Sequence, residues 1–157
     1  MKVFISCPFT GLCYDNKYEI KDEYKDFFSN LTKELEDIGC EYYLAIKREN
    51  WGLEHKGPQE CTVSDYEAVK NSDFLVVIPG NKSSKGISGG VHIELGWASA
   101  LKKKKHILME QNFEYSPIVL GLDAISPTIY HTCDGFLNEE MRNLIISIVK
   151  KEMLKEE

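Results

Sequence analysis

Within residues 88–101, SGGVHIELGWASAL, a carboxylate falls among apolar positions. Val91, Leu95, Ala98 and Leu101 keep the spacing of a buried helical face. Glu94 follows Val91 by three residues and precedes Ala98 by four, so it shares that face. An unpaired carboxylate there would cost several kcal/mol or give up its charge. A chain keeps such a residue when a partner neutralises it or when it does chemistry. The plainer alternative is a Glu at the stripe's edge with its head in solvent. Just upstream, residues 81–90 (NKSSKGISGG) combine hydroxyls, small residues and two lysines, and end at a helix start. Ser88 is the expected N-cap, with Gly89 and Gly90 in the first turn. Free amides, a helix dipole and hydroxyl donors suit a phosphate. The GxxxxGK(S/T) and GxGxxG spacings are both absent, and Lys82 and Lys85 read equally well as solvated tips. Asp65 is a second candidate acid, although Thr62-x-x-Asp65 also resembles a capping box at a helix start. Asp73 reads as a turn or capping residue, His92 as a surface residue and Trp97 as packing.

These side chains need a scaffold. A chain of 157 residues is expected to form one domain with a real core. Its 25 acidic against 19 basic residues give a net charge of −6, which argues against a nucleic-acid polymer as partner. A small anionic ligand in a locally positive pocket remains compatible with that charge. No apolar run has the length of a membrane span, and the N-terminus lacks the build of a signal peptide. Five cysteines without a CxxC pair read as reduced thiols of a cytosolic protein. Nothing in the spacing favours a Cys7/Cys13/His92 metal site.

Apolar runs at 2–6, 42–46, 74–79, 106–109 and 128–131 read as strands. Helical patterns fall at 17–38, 63–71, 88–101 and 138–153, with 47–59 and 81–87 as loops. Gly39 supplies the stop of the first helix. Alternating strands and helices with apolar strands imply a parallel sheet covered on both faces. In such a sheet ligands gather beyond the carboxyl ends of the strands. That places residues 7–11, 47–59, 80–90 and 110–116 around one site.

Asp65, Asp73, the apolar strand, Ser88-x-Gly and Glu94-Leu-Gly-x-Ala together resemble the nucleoside 2-deoxyribosyltransferase family. The match runs from residues 2–6 to 116–121. The resemblance implies a flavodoxin-like, three-layer α/β fold with a parallel sheet of about five strands. It also implies a homodimer or higher homo-oligomer whose sites borrow residues from a neighbouring subunit. By the family's pattern Glu94 is the nucleophile that attacks C1′ of the sugar, and Asp65 assists at the base or sugar. Ser88 stands where the classical transferases carry an Asp, as it does in the branch that hydrolyses nucleoside 5′-monophosphates. There the Ser contacts phosphate, and Ser116 matches a later phosphate-binding Ser. A carboxylate would repel a phosphate dianion, whereas a hydroxyl at a helix N-terminus donates to it.

The implied binding set is Phe9, Thr10 and Gly11 from the first turn, Ser88, Gly89 and Gly90 from the helix start, and Ser116. Two departures stand out. Pro8 and Phe9 occupy a turn where the monophosphate branch can supply a hydroxyl, and Phe4 replaces the Tyr that orients the nucleophile in relatives. The expected reaction is cleavage of the N-glycosidic bond of a nucleoside 5′-monophosphate through a glycosyl-Glu94 ester, with no metal or organic cofactor. Three alternatives stay open: a deoxyribosyltransferase exchanging bases, an NAD glycohydrolase resembling TIR domains, and a non-catalytic nucleotide-binding module.

Overall fold

The computed structural model describes residues 1–15, 17–54, 56–80 and 88–155. Five strands form one sheet: β1 (Lys2–Ser6), β2 (Glu41–Leu44), β3 (Phe74–Val77), β4 (Lys104–Glu110) and β5 (Thr128–Cys133). Their order is β2-β1-β3-β4-β5 and every pairing is parallel. This is the flavodoxin-like order, whose switch point lies between β1 and β3.

Alternation along the strands divides the core into two layers. Val3, Ile5, Phe74 and Val76 face α1 (Asp22–Asp37) and α6 (Glu139–Met153), meeting Phe28, Leu31, Leu35, Ile145 and Val149. Phe4, Leu75, Val77 and Ile107 face the other way, onto α3 (Pro58–Asn71) and α4 (Gly89–Ala100). There they meet Ala68, Val69, Val91, Leu95 and Ala98. The second layer carries the site. Two shorter helices, α2 (Ala45–Arg48) and α5 (Pro117–Leu120), follow β2 and β4.

Three expected boundaries move. The first helix begins at Asp22 instead of residue 17, because Ile20 is spent on the core in extended form. Ile20 bridges Cys13 and donates its N–H to the Trp51 carbonyl at 3.0 Å. Gly52 lies against this segment, and a Cβ there would come within 1.8 Å of the Tyr18 carbonyl oxygen. The region 47–59 is accordingly no plain surface loop: it holds the end of α2, a 3-10 turn at Asn50–Gly52 and the start of α3. With Pro58 opening α3, Thr62 lies inside the helix and bonds the Pro58 carbonyl at 2.8 Å. The capping-box reading of Thr62 and Asp65 therefore falls, and Asp65 needs another explanation. Residues 81–87, with Lys82 and Lys85, lie outside the described residues.

Asp73 closes the end of the sheet away from the site. Its Oδ2 accepts the Lys2 N–H at 2.6 Å while its own N–H donates to the Lys2 carbonyl at 2.8 Å. On the α6 side, buried Glu152 accepts from Lys104 at 2.6 Å and Lys155 at 2.7 Å, with His106 Nε2 at 3.4 Å. Burial pushes the Glu152 carboxyl up, but the two lysines outweigh it and hold it at about 2. A carboxyl lowered on folding adds stability above its unfolded value, and loses that contribution as pH falls toward 2. Glu152→Gln should cost about 1–3 kcal/mol at pH 7. In urea denaturation the gap from the parent chain should narrow at pH 3.

Candidate active site

The crevice at the switch point holds a cavity of about 200 Å³. The turn after β1 supplies Cys7 and Phe9, α2 and the residue after it supply Arg48 and Glu49, and α3 supplies Cys61 and Asp65. The start of α4 adds Ser88, Gly90, Val91 and Glu94. Thus Glu94 and Asp65, far apart in sequence, line one cavity together with Ser88. The α4 stripe is as expected: Val91, Leu95 and Ala98 are buried in the second core layer, and Glu94 leaves that layer at the cavity wall.

Ser6 and the Glu94 carboxylate meet across the sheet-to-helix interface, the Ser6 hydroxyl donating to Glu94 Oε2. Burial pushes the Glu94 carboxyl up and the charge of Asp65 adds to it. The Ser6 hydrogen bond and the Arg48 charge oppose that push, and the carboxyl stands at about 8. Phe4, lacking a hydroxyl, stacks on Tyr43 with ring centroids 5.3 Å apart. The hydroxyl that meets Glu94 comes from Ser6, two residues further along the same strand.

Asp65 belongs to a network that sequence reasoning missed. Its Oδ1 accepts from Arg48 Nη1 at 2.7 Å and from the Tyr43 hydroxyl at 2.8 Å. Arg48 is clamped from its other edge by Glu49 Oε1, with Nη2 at 2.6 Å and Nε at 3.2 Å. Glu49 is only 3% exposed and also accepts from the Lys56 N–H at 3.0 Å and the Cys61 thiol at 3.2 Å. The guanidinium thus bridges two carboxylates with its planar fork. Burial outweighs everything else at Cys7, and with the Glu94 charge drives its thiol well above the ordinary range. Burial and the Glu49 hydrogen bond also raise the Cys61 thiol. Both thiols are thus held in the neutral form, the less nucleophilic one.

At the mouth, Ser88 caps α4 through its backbone while its side chain makes no capping bond. The first-turn amides of a helix lack intrahelical partners. A Cβ at Gly89 would meet nothing within 4 Å, and one at Gly90 only the Ser88 Oγ at 3.7 Å. His92 Nδ1 turns back to the Ser88 carbonyl at 3.0 Å, and Trp97 packs edge-on against Tyr66. The Cys13 thiol is spent on the Tyr18 carbonyl at 3.1 Å. Among the described residues no three His, Cys, Asp or Glu side chains gather as a metal ion would require.

Not every expected binding residue reaches the cavity. Thr10 and Gly11 lie in the 3-10 turn Thr10–Leu12 behind Phe9 and do not line it, nor does Gly89. Ser116 caps α5, between Tyr115 and Pro117. Those two line a separate cavity of about 510 Å³ beyond β4 and β5.

No protein-family model matches the chain, and no curated protein matches it. Solved structures do. The CMP N-glycosidase BcmB of Clostridium botulinum is 26% identical with a TM-score of 0.65, over 92% of this chain and 98% of that one. BlsM is 29% identical with a TM-score of 0.68, over 96% and 92%. A 2-deoxyribosyltransferase from Bacillus psychrosaccharolyticus is 16% identical with a TM-score of 0.58, over 93% and 90%, a likeness of fold. These neighbours bear out the resemblance of this chain to the nucleoside 2-deoxyribosyltransferase family and to its N-glycosidase branch.

Proposed function

We propose that this chain hydrolyses the N-glycosidic bond of a nucleoside or deoxynucleoside 5′-monophosphate, with Glu94 as nucleophile. One observation carries the reading: Glu94, Asp65 and Ser88 line a single cavity at the switch point of the sheet. The first two bring a nucleophile and a partner for the base, and the third a hydroxyl at a helix N-terminus that makes no capping bond.

Glu94, as carboxylate, forms a bond from its oxygen to C1′ while the C1′–N bond breaks. The electron pair leaves with the base, which takes up a proton. Asp65, already an acceptor toward Arg48 and Tyr43, suits a hydrogen bond to the departing base. Water then adds its oxygen to C1′ and loses a proton to solvent, which balances the one the base took from solvent. The ester C1′–O bond breaks, and sugar phosphate leaves with Glu94 restored as carboxylate. Arg48 supplies positive charge beside the reacting carboxylates, and Ser88 and Gly90 bring the start of α4 to the same cavity. Phosphate recognition rests on Ser88 and the Gly89 and Gly90 amides, with Ser116 arriving from a second copy of the chain.

CMP is the first substrate to try, being the one named for the Clostridium botulinum neighbour. Chromatography of nucleosides, nucleoside 5′-monophosphates and NAD after incubation with the protein tests the reading. Free base with sugar phosphate from a monophosphate is the expected result. Exchange of a second base into a deoxynucleoside would point to a transferase, and nicotinamide release to an NAD glycohydrolase. Binding of monophosphates without any base release would leave only a nucleotide-binding module.

A further inference from the structure

We infer that Ser6 is a positioning residue, whose hydroxyl holds one oxygen of Glu94 so that the other faces the sugar carbon. The inference rests on the reading of Glu94 as the nucleophile. Ser6 ends β1 two residues after Phe4, so it points to the same face, onto α3 and α4. β1 is paired on both sides, to β2 and to β3, and Ser6 stands in register with Val77. Its carbonyl is taken by the Ile78 N–H at 2.8 Å, which fixes the backbone at the strand's end. The side chain is 1% exposed and, among the described residues, its one hydrogen bond goes to Glu94 Oε2.

The terminal torsion of a Glu is broad and two-fold, so packing alone does not choose which oxygen faces the cavity. A buried hydroxyl on a doubly paired strand makes that choice. It spends Oε2 and leaves Oε1 with no hydrogen bond among the described residues. Donation to a carboxylate also favours its charged form, the form that attacks. Burial works against that form at Glu94, and the Ser6 hydrogen bond is the largest opposing influence. Position 4 cannot serve, because Phe4 carries no donor and its ring is stacked on Tyr43.

The test compares Ser6→Ala, Ser6→Thr and Ser6→Cys with the parent chain, by kinetics on the monophosphate that the screen identifies. Ser6→Ala should lower kcat about tenfold to a hundredfold with KM little changed. The acid limb of its kcat/KM profile should move to higher pH, since less opposes the effect of burial on Glu94. Ser6→Thr, which keeps the hydroxyl, should retain most of the rate and the position of the limb. Ser6→Cys, close in size but a weaker donor, should fall between. An unmoved limb, with a rate loss that simply follows a lower Tm, would overturn the inference. A second readout needs no substrate: the Glu94 carboxyl is titrated by carbon-13 NMR, its resonance assigned with Glu94→Gln. In Ser6→Ala its midpoint should rise, and an unchanged midpoint also counts against Ser6. If the parent chain releases base from nothing, the hydrolase reading fails while this titration still decides the role of Ser6.

Discussion

Glu94→Gln and Glu94→Ala should stop base release from a nucleoside 5′-monophosphate, with a loss of about a thousandfold or more, while both variants fold. Gln keeps the shape and the hydrogen-bonding capacity of the side chain but cannot form the ester. The Gln variant also gains stability at alkaline pH. In the parent chain the Glu94 carboxyl stands at about 8, raised first by burial and then by Asp65. A carboxyl raised on folding contributes stability that is full below its unfolded value and is lost as pH climbs through 8. Glu94→Gln fixes the neutral form, so its Tm advantage should grow between about pH 5 and pH 8 and level off above. Thermal melts across that range check it. A flat difference would mean that Glu94 ionises freely in the folded chain. Retained turnover in either variant would remove it as nucleophile.

Glu94 was legible because a single charge interrupted a helical apolar stripe, and periodicity exposes such an interruption in any sequence. The strands β1 and β3 were legible as short apolar runs and the last helix as the helical pattern at 138–153, where the structure adds an N-cap, Asn138 Oδ1 accepting the Met141 N–H. The Arg48 and Glu49 pair was not. It lies in a polar stretch without periodicity, where burial of a charge leaves no trace in the pattern. Only the fold shows that Arg48 turns inward to meet Asp65, with Glu49 holding its other edge. Asp65 itself was masked by its spacing from Thr62, which imitates a helix start, whereas Pro58 opens the helix a turn earlier. Ser6 was hidden differently: a small polar residue closing a strand reads as the beginning of a turn. Its meaning depends on which helix covers that face of the sheet, which is long-range information.

On the proposed reading Ser88 separates a phosphate-dependent enzyme from a plain nucleoside one, and its variants should change selectivity more than folding. The hydroxyl sits at the N-terminus of α4 on the cavity wall and makes no capping bond, so removing it costs the helix little. A hydrogen bond to a charged phosphate contributes roughly 1.5–3 kcal/mol. Ser88→Ala should therefore reduce kcat/KM for a monophosphate about tenfold to a hundredfold, and barely affect the matching nucleoside. Ser88→Asp should do worse on the monophosphate, because a carboxylate at this point repels the dianion it replaces a donor for. The same variant should leave the nucleoside unharmed or favoured, since an acid at a helix N-terminus is itself stabilised by the dipole. The ratio of the two kcat/KM values is the quantity to measure, at low and at high salt. Repulsion between partly exposed charges weakens with ionic strength, so the Asp penalty should shrink as salt rises. If both substitutions lower the two substrates by equal factors, Ser88 is a helix cap and the phosphate must be held elsewhere. The chemistry assigned to Glu94 would stand apart from that result, because it depends on the Ser6 and Asp65 side of the cavity.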